Sequence, residues 1–149
     1  MHRIIPVLLC IILLAGCALP RVGIYKDPLT AQEHLDLGLA YEQKGELELA
    51  QREYVDAARE LPVGDLYLGN LLFTQGKLNE AEGFYRKALR RMPDDATVRN
   101  NLAWLLLQRR SDLTEAERLA SEAVSLANAN QRPAFEDTLS RIREALAEK

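Results

Sequence analysis

The sequence predicts an all-α fold in which consecutive helix pairs stack along the chain. Small and aromatic residues recur at a nearly fixed spacing between residues 30 and 129. Glycines and prolines fall where the predicted helices end, as expected for helix terminators. Near the carboxyl end, four large apolar residues recur at helical spacing. Together these observations predict three helix pairs followed by a single helix.

Residues 1–16 have the layout of a signal peptide. Arg3 supplies a positive start, and Ile4–Leu14 supplies a short apolar run. About 20 apolar residues are needed for a helix that spans a bilayer, so this run is too short to be an ordinary anchor. We therefore expect residues 1–16 to be removed from the mature chain.

Leu14, Ala15, Gly16 and Cys17 follow in register with this run and resemble the lipobox of bacterial lipoproteins. The resemblance implies that Cys17 carries covalent diacylglycerol and, on its freed amine, an N-acyl lipid such as palmitate. The alternative is an ordinary secretory signal with a chance cysteine. In that family, Ala18 rather than Asp at the next position implies an outer-membrane location. The expected place is the periplasmic face of the cell envelope, with the lipid as membrane contact.

Composition limits the other function classes. The chain has two cysteines, and loss of Cys10 with the signal would leave Cys17 without a disulfide partner. The formal net charge is −3, without a dense basic patch, so we expect no nucleic-acid partner. No phosphate loop or nucleophile motif occurs, which predicts no catalytic residues, no enzyme activity and no small-molecule substrate. His34 is the only histidine after the signal and is interpreted as a packing residue, so no metal site and no cofactor besides the lipid are expected.

Residues 17–29 are predicted to form a lipidated tether, since Pro20, Gly23 and Pro28 interrupt any helical period. Helical order is expected to begin at Thr30. Thr30 and Glu33 have the spacing of a capping box, in which each side chain bonds the other's backbone N–H.

A repeat then runs through residues 30–64, 65–95 and 96–129. The recurring positions are Leu37, Gly38, Tyr41, Ala50, Tyr54, Ala57 and Pro62; then Leu68, Gly69, Leu72, Ala81, Tyr85, Ala88 and Pro93; then, more loosely, Leu102, Ala103, Leu106, Ala116, Ala120 and Ala123. This pattern resembles the tetratricopeptide repeat, a helix-turn-helix unit of about 34 residues. The small residues allow close helix crossing, and the tyrosines fill the space around it. The resemblance implies a solenoid of three such repeats.

Two departures from the repeat pattern stand out. Gly38 and Gly69 are only 31 residues apart, so the second repeat's first helix is expected to begin near residue 64 or 65 without its first turn. The third repeat has no glycine in its turn and has Ala120 in place of tyrosine. We therefore expect less bulk at the third repeat's packing surface.

Residues 130–149 are predicted to form a capping helix. Pro133 suits a first helical turn, and Phe135, Leu139, Ile142 and Leu146 form one apolar stripe. A stack of helix pairs ends on an exposed apolar face, which a helix with a polar outer side can cover.

The resemblance further implies that the first helix of each pair lines a concave groove for a protein or peptide partner. Helical spacing selects Leu35, Leu39, Leu66, Asn70, Phe73, Asn100, Asn101 and Trp104 for this groove. Amides can bond a peptide backbone, and large aromatic residues dominate interface energetics. The leucines and Trp104 could instead pack between helices. Some relatives clamp a terminal carboxylate with cations, but Leu35, Leu39, Asn70, Thr97 and Asn101 occupy the matching positions here, so that ligand is unsupported.

The function expected from sequence is a non-enzymatic, membrane-anchored adaptor that binds a protein partner in the cell envelope. The alternative is a structural subunit or assembly factor, similar to a pilotin, of a secretion, pilus or polysaccharide-export complex. Such a subunit would be recognised by its convex face.

Overall fold

The computed structural model describes residues 27–148, which form seven α-helices joined by short turns. The helices are α1 Ala31–Gln43, α2 Leu47–Ala58, α3 Val63–Thr74, α4 Leu78–Arg91, α5 Ala96–Gln108, α6 Leu113–Leu126 and α7 Arg132–Ala147. The predicted signal peptide, Cys17 and most of the tether lie outside the described residues. Within the described part, none of the helices combines the length and apolar character needed to cross a membrane.

The helices stack in chain order. The pairs are α1 with α2, α3 with α4, and α5 with α6, and each pair packs on the next. The last helix, α7, packs on α6 and also contacts α5. The predicted all-α solenoid of three helix pairs and a terminal helix is therefore confirmed for residues 27–148. The predicted capping box is present too, because Thr30 and Glu33 bond each other's backbone at the start of α1.

A glycine facing a tyrosine sets the crossing of the first two pairs. A Cβ atom added to Gly38 would lie 2.5 Å from Tyr54 Cε1, and one added to Gly69 would lie 2.5 Å from Tyr85 Cδ1. Both tyrosines are buried. In the third pair, the buried Ala103 and Ala120 occupy the equivalent positions. The third pair thus has a smaller side chain at the tyrosine position and an added methyl group at the glycine position.

The turns within the three pairs share one hydrogen-bonding pattern. The residue after each first helix's C-cap has a positive φ, which is 78° at Gly45, 73° at Gly76 and 48° at Arg110. The following residue donates its N–H back into the helix, as Glu46 does to the Tyr41 carbonyl oxygen at 2.9 Å. This is the Schellman motif. Its left-handed position favours glycine, because in any other residue the Cβ atom comes too close to the following carbonyl oxygen. The third turn therefore keeps the motif with an arginine in the glycine position.

The shortened step between the first two pairs is accommodated on both sides of the joint. When the repeats are aligned, α2 ends two residues earlier than α4, and α3 begins one residue later than α5. The prediction that α3 lacks a whole first turn was therefore wrong. The approach is close, since a Cβ on Gly64 would lie 2.6 Å from the backbone nitrogen of Ala58.

A buried carboxylate reinforces this joint. Asp65 is fully buried on α3, and its oxygens lie 2.7 Å from Arg91 Nη1 and 2.8 Å from Lys87 Nζ on α4. The same Arg91 nitrogen donates to the Ala58 carbonyl oxygen at the end of α2, at 2.7 Å. Buried charges persist only when they are paired and hydrogen-bonded, so α2, α3 and α4 are held together at this point.

The buried face of the capping helix is slightly rotated from the predicted apolar stripe. Phe135 and Ile142 are buried as expected, and Ile142 is packed in the core shared by the second and third pairs. Leu139 and Leu146 are only half-buried at its margin. Thr138 and Ala145 are buried in addition. The helix packs on both α5 and α6, which turns the buried face one position away from the strict stripe.

Replacing Arg110 by glycine should stabilise the fold. The left-handed conformation costs a non-glycine residue about 1–2 kcal/mol, partly offset by glycine's larger loss of chain entropy. The only side-chain ion pair of Arg110 among the described residues is with Glu148, and both side chains are largely exposed, so little is lost. We expect the free energy of unfolding to rise by about 0.5–1 kcal/mol in urea denaturation.

The matched control is Gly45→Arg, because an added Cβ there would contact nothing within 4 Å. Its only direct cost is backbone strain, so it should lower stability by about 1 kcal/mol. Unchanged unfolding midpoints in both variants would show that the left-handed residue carries no strain.

Candidate partner-binding cleft

A cleft of about 440 Å³ opens between α3, α5 and α7. We call it the partner cleft; its lining residues are Asn70, Phe73, Thr74, Tyr85, Asn100, Asn101, Trp104, Ala134, Asp137 and Thr138. Five of the eight residues selected from sequence for the groove lie here. The volume falls within the range typical of sites that enclose part of a ligand, about 300–1,000 Å³.

The three leucines selected for the groove lie elsewhere. Leu35 and Leu66 are only 6% and 7% exposed and belong to the hydrophobic core, so the prediction that they line the groove was wrong. Leu39 lines a separate cleft of about 320 Å³ beside Glu42 and Tyr67. Asn70 lines both clefts and connects them.

A chain of hydrogen bonds fixes the amides of the partner cleft. The Tyr85 hydroxyl donates to Asn70 Oδ1 at 2.9 Å, and Asn101 Nδ2 donates to the same oxygen at 2.9 Å. Burial raises the pKa of Tyr85, so its hydroxyl stays protonated and remains a donor at physiological pH. The second and third repeats are thereby joined at the floor of the cleft.

This arrangement leaves a defined hydrogen-bonding capacity. The Asn70 amide nitrogen and the Asn101 amide oxygen take no part in the bonds just described, so the pair can offer a donor and an acceptor side by side. A backbone peptide group needs the same combination. In addition, Asn100 Oδ1 is buried and has no hydrogen-bond partner among the described residues.

Aromatic side chains and an ion pair form the walls. Phe73 and Trp104 are half-buried, so each presents part of its ring to the cleft. The Arg141 guanidinium lies 5.9 Å from the Trp104 ring centroid, within cation–π range. Its Nε lies 2.7 Å from Asp137, and this hydrogen bond raises the pKa of Arg141. Trp104 thus has one face supported while it still borders the cleft.

The sequence analysis missed the contribution of α7. Ala134, Asp137 and Thr138 form one wall of the partner cleft, although the helix was expected only to close the core. These residues and Arg141 recur at three- and four-residue spacing, which puts them on one face of a helix. That signal was present, but it could be used only once α7 was known to contact α5.

A second grouping of functional side chains lies at the opposite end of the stack. Ligand-type atoms of Asp27, His34 and Asp56 lie within 4.8 Å of one another. His34 is buried, as a packing residue should be. The fold thus adds two carboxylates to the single histidine, a grouping that the sequence analysis did not foresee.

Comparisons with known proteins identify the fold. The profile of the tetratricopeptide repeat matches residues 63–129, which span α3 to α6. None of the curated proteins compared with the chain matches it.

Several solved structures are similar. The TPR2B domain of yeast Sti1, in its pHsp70 complex, is 16% identical with a TM-score of 0.69, covering 76% of this chain and 96% of that one. The first such domain of Spaghetti (RPAP3), bound to an HSP90 peptide, is 22% identical with a TM-score of 0.70, covering 84% and 99%. The Yersinia enterocolitica type III secretion translocator chaperone SycD is 21% identical with a TM-score of 0.61, covering 80% and 90%. These likenesses show that the described residues have the tetratricopeptide-repeat solenoid fold.

The amide chain predicts coupled stability effects. Asn70→Ala should cost about 1–3 kcal/mol, because the buried Tyr85 hydroxyl would lose its acceptor. Tyr85→Phe removes that hydroxyl and should cost less. In the Tyr85→Phe background, Asn70→Ala should therefore be markedly less damaging.

Urea denaturation of the four proteins in this cycle measures the coupling. Thr74→Ala serves as the control, since Thr74 borders the same cleft but is exposed. Additive effects of the two substitutions would mean that Tyr85 does not hold Asn70 in place.

Proposed function

We propose that this tetratricopeptide-type solenoid is a lipid-anchored, non-enzymatic adaptor that binds a segment of a protein partner in the partner cleft. The lipid would be on Cys17, and the tether would hold the solenoid at the periplasmic face of an outer membrane. The solved structures with this fold include complexes with peptides or partner segments, which supports a binding role. The lipobox resemblance supports the anchor.

The observation that carries the binding proposal is the combination of groups in one cleft. Two aromatic side chains, Phe73 and Trp104, offer apolar area in the same cleft as the amides of Asn70 and Asn101. An extended peptide needs both, because its backbone requires donors and acceptors while its side chains require apolar pockets. The fixed amide geometry favours binding, since little order is lost when a ligand arrives.

The chemistry favours an internal, partly apolar segment over a free carboxyl terminus. At the positions where relatives place cations for a terminal carboxylate, Leu35 is buried in the core, and Thr97 accepts a hydrogen bond from Gln131 at 3.1 Å. Asn70 and Asn101 are neutral. The charged groups near the cleft, Asp137 and Arg141, neutralise each other.

The anchor predicts that Cys17→Ser releases the protein from the membrane. Serine lacks the thiolate that the lipid alkylates. None of the described helices could cross the membrane and anchor the protein in place of the lipid. Fractionated cells should show the variant shifting from the membrane pellet, with loss of labelled palmitate. Retention in the pellet with unchanged mobility would refute the lipoprotein assignment.

The control is Cys10→Ser. It makes the same substitution seven residues earlier, inside the apolar run, and should leave both the membrane fraction and the palmitate label unchanged.

The binding proposal predicts where a partner can be crosslinked. A photoreactive p-benzoylphenylalanine at position 73 or 104 should form a protein adduct in intact cells. The same residue at position 55 or 126 should not, because Val55 and Leu126 are exposed on second helices, away from the cleft. Adducts only from positions 55 and 126 would move the partner to the convex face and favour the assembly-subunit alternative.

Once the crosslinked partner is identified, Trp104→Ala should weaken its affinity by about 30-fold, as truncation of a hot spot worth about 2 kcal/mol does. Circular dichroism should show helicity like that of the parent. Val55→Ala is the matched surface control and should not change affinity. Lost helicity together with lost binding would assign Trp104 to packing instead.

A further inference from the structure

We propose that Asp27, His34 and Asp56 form a binding site for a divalent transition-metal ion of the Zn²⁺ type. The site would lie at the end of the solenoid nearest the tether, away from the partner cleft. It would join three segments of the chain, because Asp27 precedes α1, His34 lies on α1 and Asp56 lies on α2.

The orientation of His34 carries this inference. Its Nδ1 lies 2.7 Å from Glu53 Oε2, a short hydrogen bond to a neighbouring helix. When Nδ1 donates to this carboxylate, the lone pair of the ring remains on Nε2. A histidine held by a carboxylate in this way is the usual arrangement around protein-bound zinc, where the outer carboxylate fixes the tautomer and makes the ring a better ligand.

The opposite ring nitrogen faces Asp27. His34 Nε2 lies 3.5 Å from Asp27 Oδ2, which is longer than an ordinary hydrogen bond. It is close to the separation of about 3.4 Å between neighbouring ligands that Zn–N and Zn–O bonds of about 2.0–2.1 Å give in a tetrahedral site. The Asp56 carboxylate completes a group whose ligand atoms lie within 4.8 Å. The group combines one buried imidazole with an exposed and a half-buried carboxylate, both of which border solvent.

Charge and access also fit a divalent cation. Asp27, Glu53 and Asp56 bring three negative charges to one imidazole, and Arg59 pairs with Asp56 at 2.9 Å from a largely exposed position. The pair with Arg59 is weak enough to yield to a metal ion. His34 itself is only 7% exposed, while Asp27 is about half exposed and leaves a route for entry. An imidazole ligand selects zinc-like ions over Mg²⁺ and Ca²⁺, which prefer oxygen ligands alone.

The competing arrangement is a histidinium ion-paired with the same carboxylates. The hydrogen bond with Glu53, together with Asp27 and Asp56, raises the pKa of His34 above its ordinary value. A proton and a metal ion therefore compete for Nε2. Metal binding should be measured at mildly alkaline pH, where the proton competes least.

The test uses the purified full chain in detergent, stripped with EDTA and titrated with Zn²⁺ alone. A ligand that binds only the folded state at a hundred-fold excess over its Kd should raise Tm by about 5–10 °C. Mg²⁺ in place of Zn²⁺ should give no shift. No rise in Tm with Zn²⁺ at any concentration that keeps the protein soluble would overturn the proposal.

Two variants locate the ion. Asp27→Asn removes one ligand from an exposed position ahead of α1 and should weaken Zn²⁺ affinity ten-fold or more. Asp36→Asn removes the same charge from an exposed position of α1 outside the group and should leave affinity unchanged. Equal affinity in both variants would place the metal elsewhere and would contradict the site.

Nuclear magnetic resonance of the imidazole nitrogens gives an independent readout. On addition of Zn²⁺, the His34 Nε2 signal should move to the range of a metal-bound nitrogen while Nδ1 remains protonated. Signals of His34 that do not respond to Zn²⁺ would leave it an ion-paired packing residue and refute the proposal, even if Tm rises.

Discussion

Two helices that cross at close range leave space for one bulky side chain between them, and this limit governs the stack. Tyr54 and Tyr85 are buried where Gly38 and Gly69 lack a side chain, and an added Cβ would come within 2.5 Å of either ring. Overpacking of a close-packed interior is destabilising, as a cavity is. Because the solenoid is a series of such crossings, the position of each successive pair depends on this match.

The same packing positions the partner cleft. The Tyr85 ring is fixed against Gly69, and its hydroxyl reaches Asn70, which in turn accepts a hydrogen bond from Asn101 of the next pair. In the first pair, the Tyr54 hydroxyl donates instead to Glu42 at 2.5 Å. One repeated tyrosine therefore supports two different groups along the concave side, with neutral amides in the middle of the stack and a carboxylate at its start.

Spacing in the sequence was sufficient to predict the repeats, the capping box, the glycine turns and the terminal helix. Each of these depends on residues that are close together in the chain. Spacing could not show which residues of a first helix face the neighbouring pair, since the rotation of each helix is set by its tertiary partners. For this reason Leu35 and Leu66 are in the core rather than the groove. The wall from α7 and the grouping of Asp27 with His34 required the folded arrangement itself.

The helix crossing at the second pair is tested most directly by a double-mutant cycle of Gly69→Ala and Tyr85→Ala. Alone, Gly69→Ala should destabilise the fold by about 1–3 kcal/mol through overpacking. In the Tyr85→Ala background, Gly69→Ala should be neutral or stabilising, because alanine is the better helix former. The double variant then has the same two alanines as Ala103 and Ala120 of the third pair. The predicted coupling is about 1–3 kcal/mol in urea denaturation. Equal costs of Gly69→Ala in both backgrounds would contradict the account.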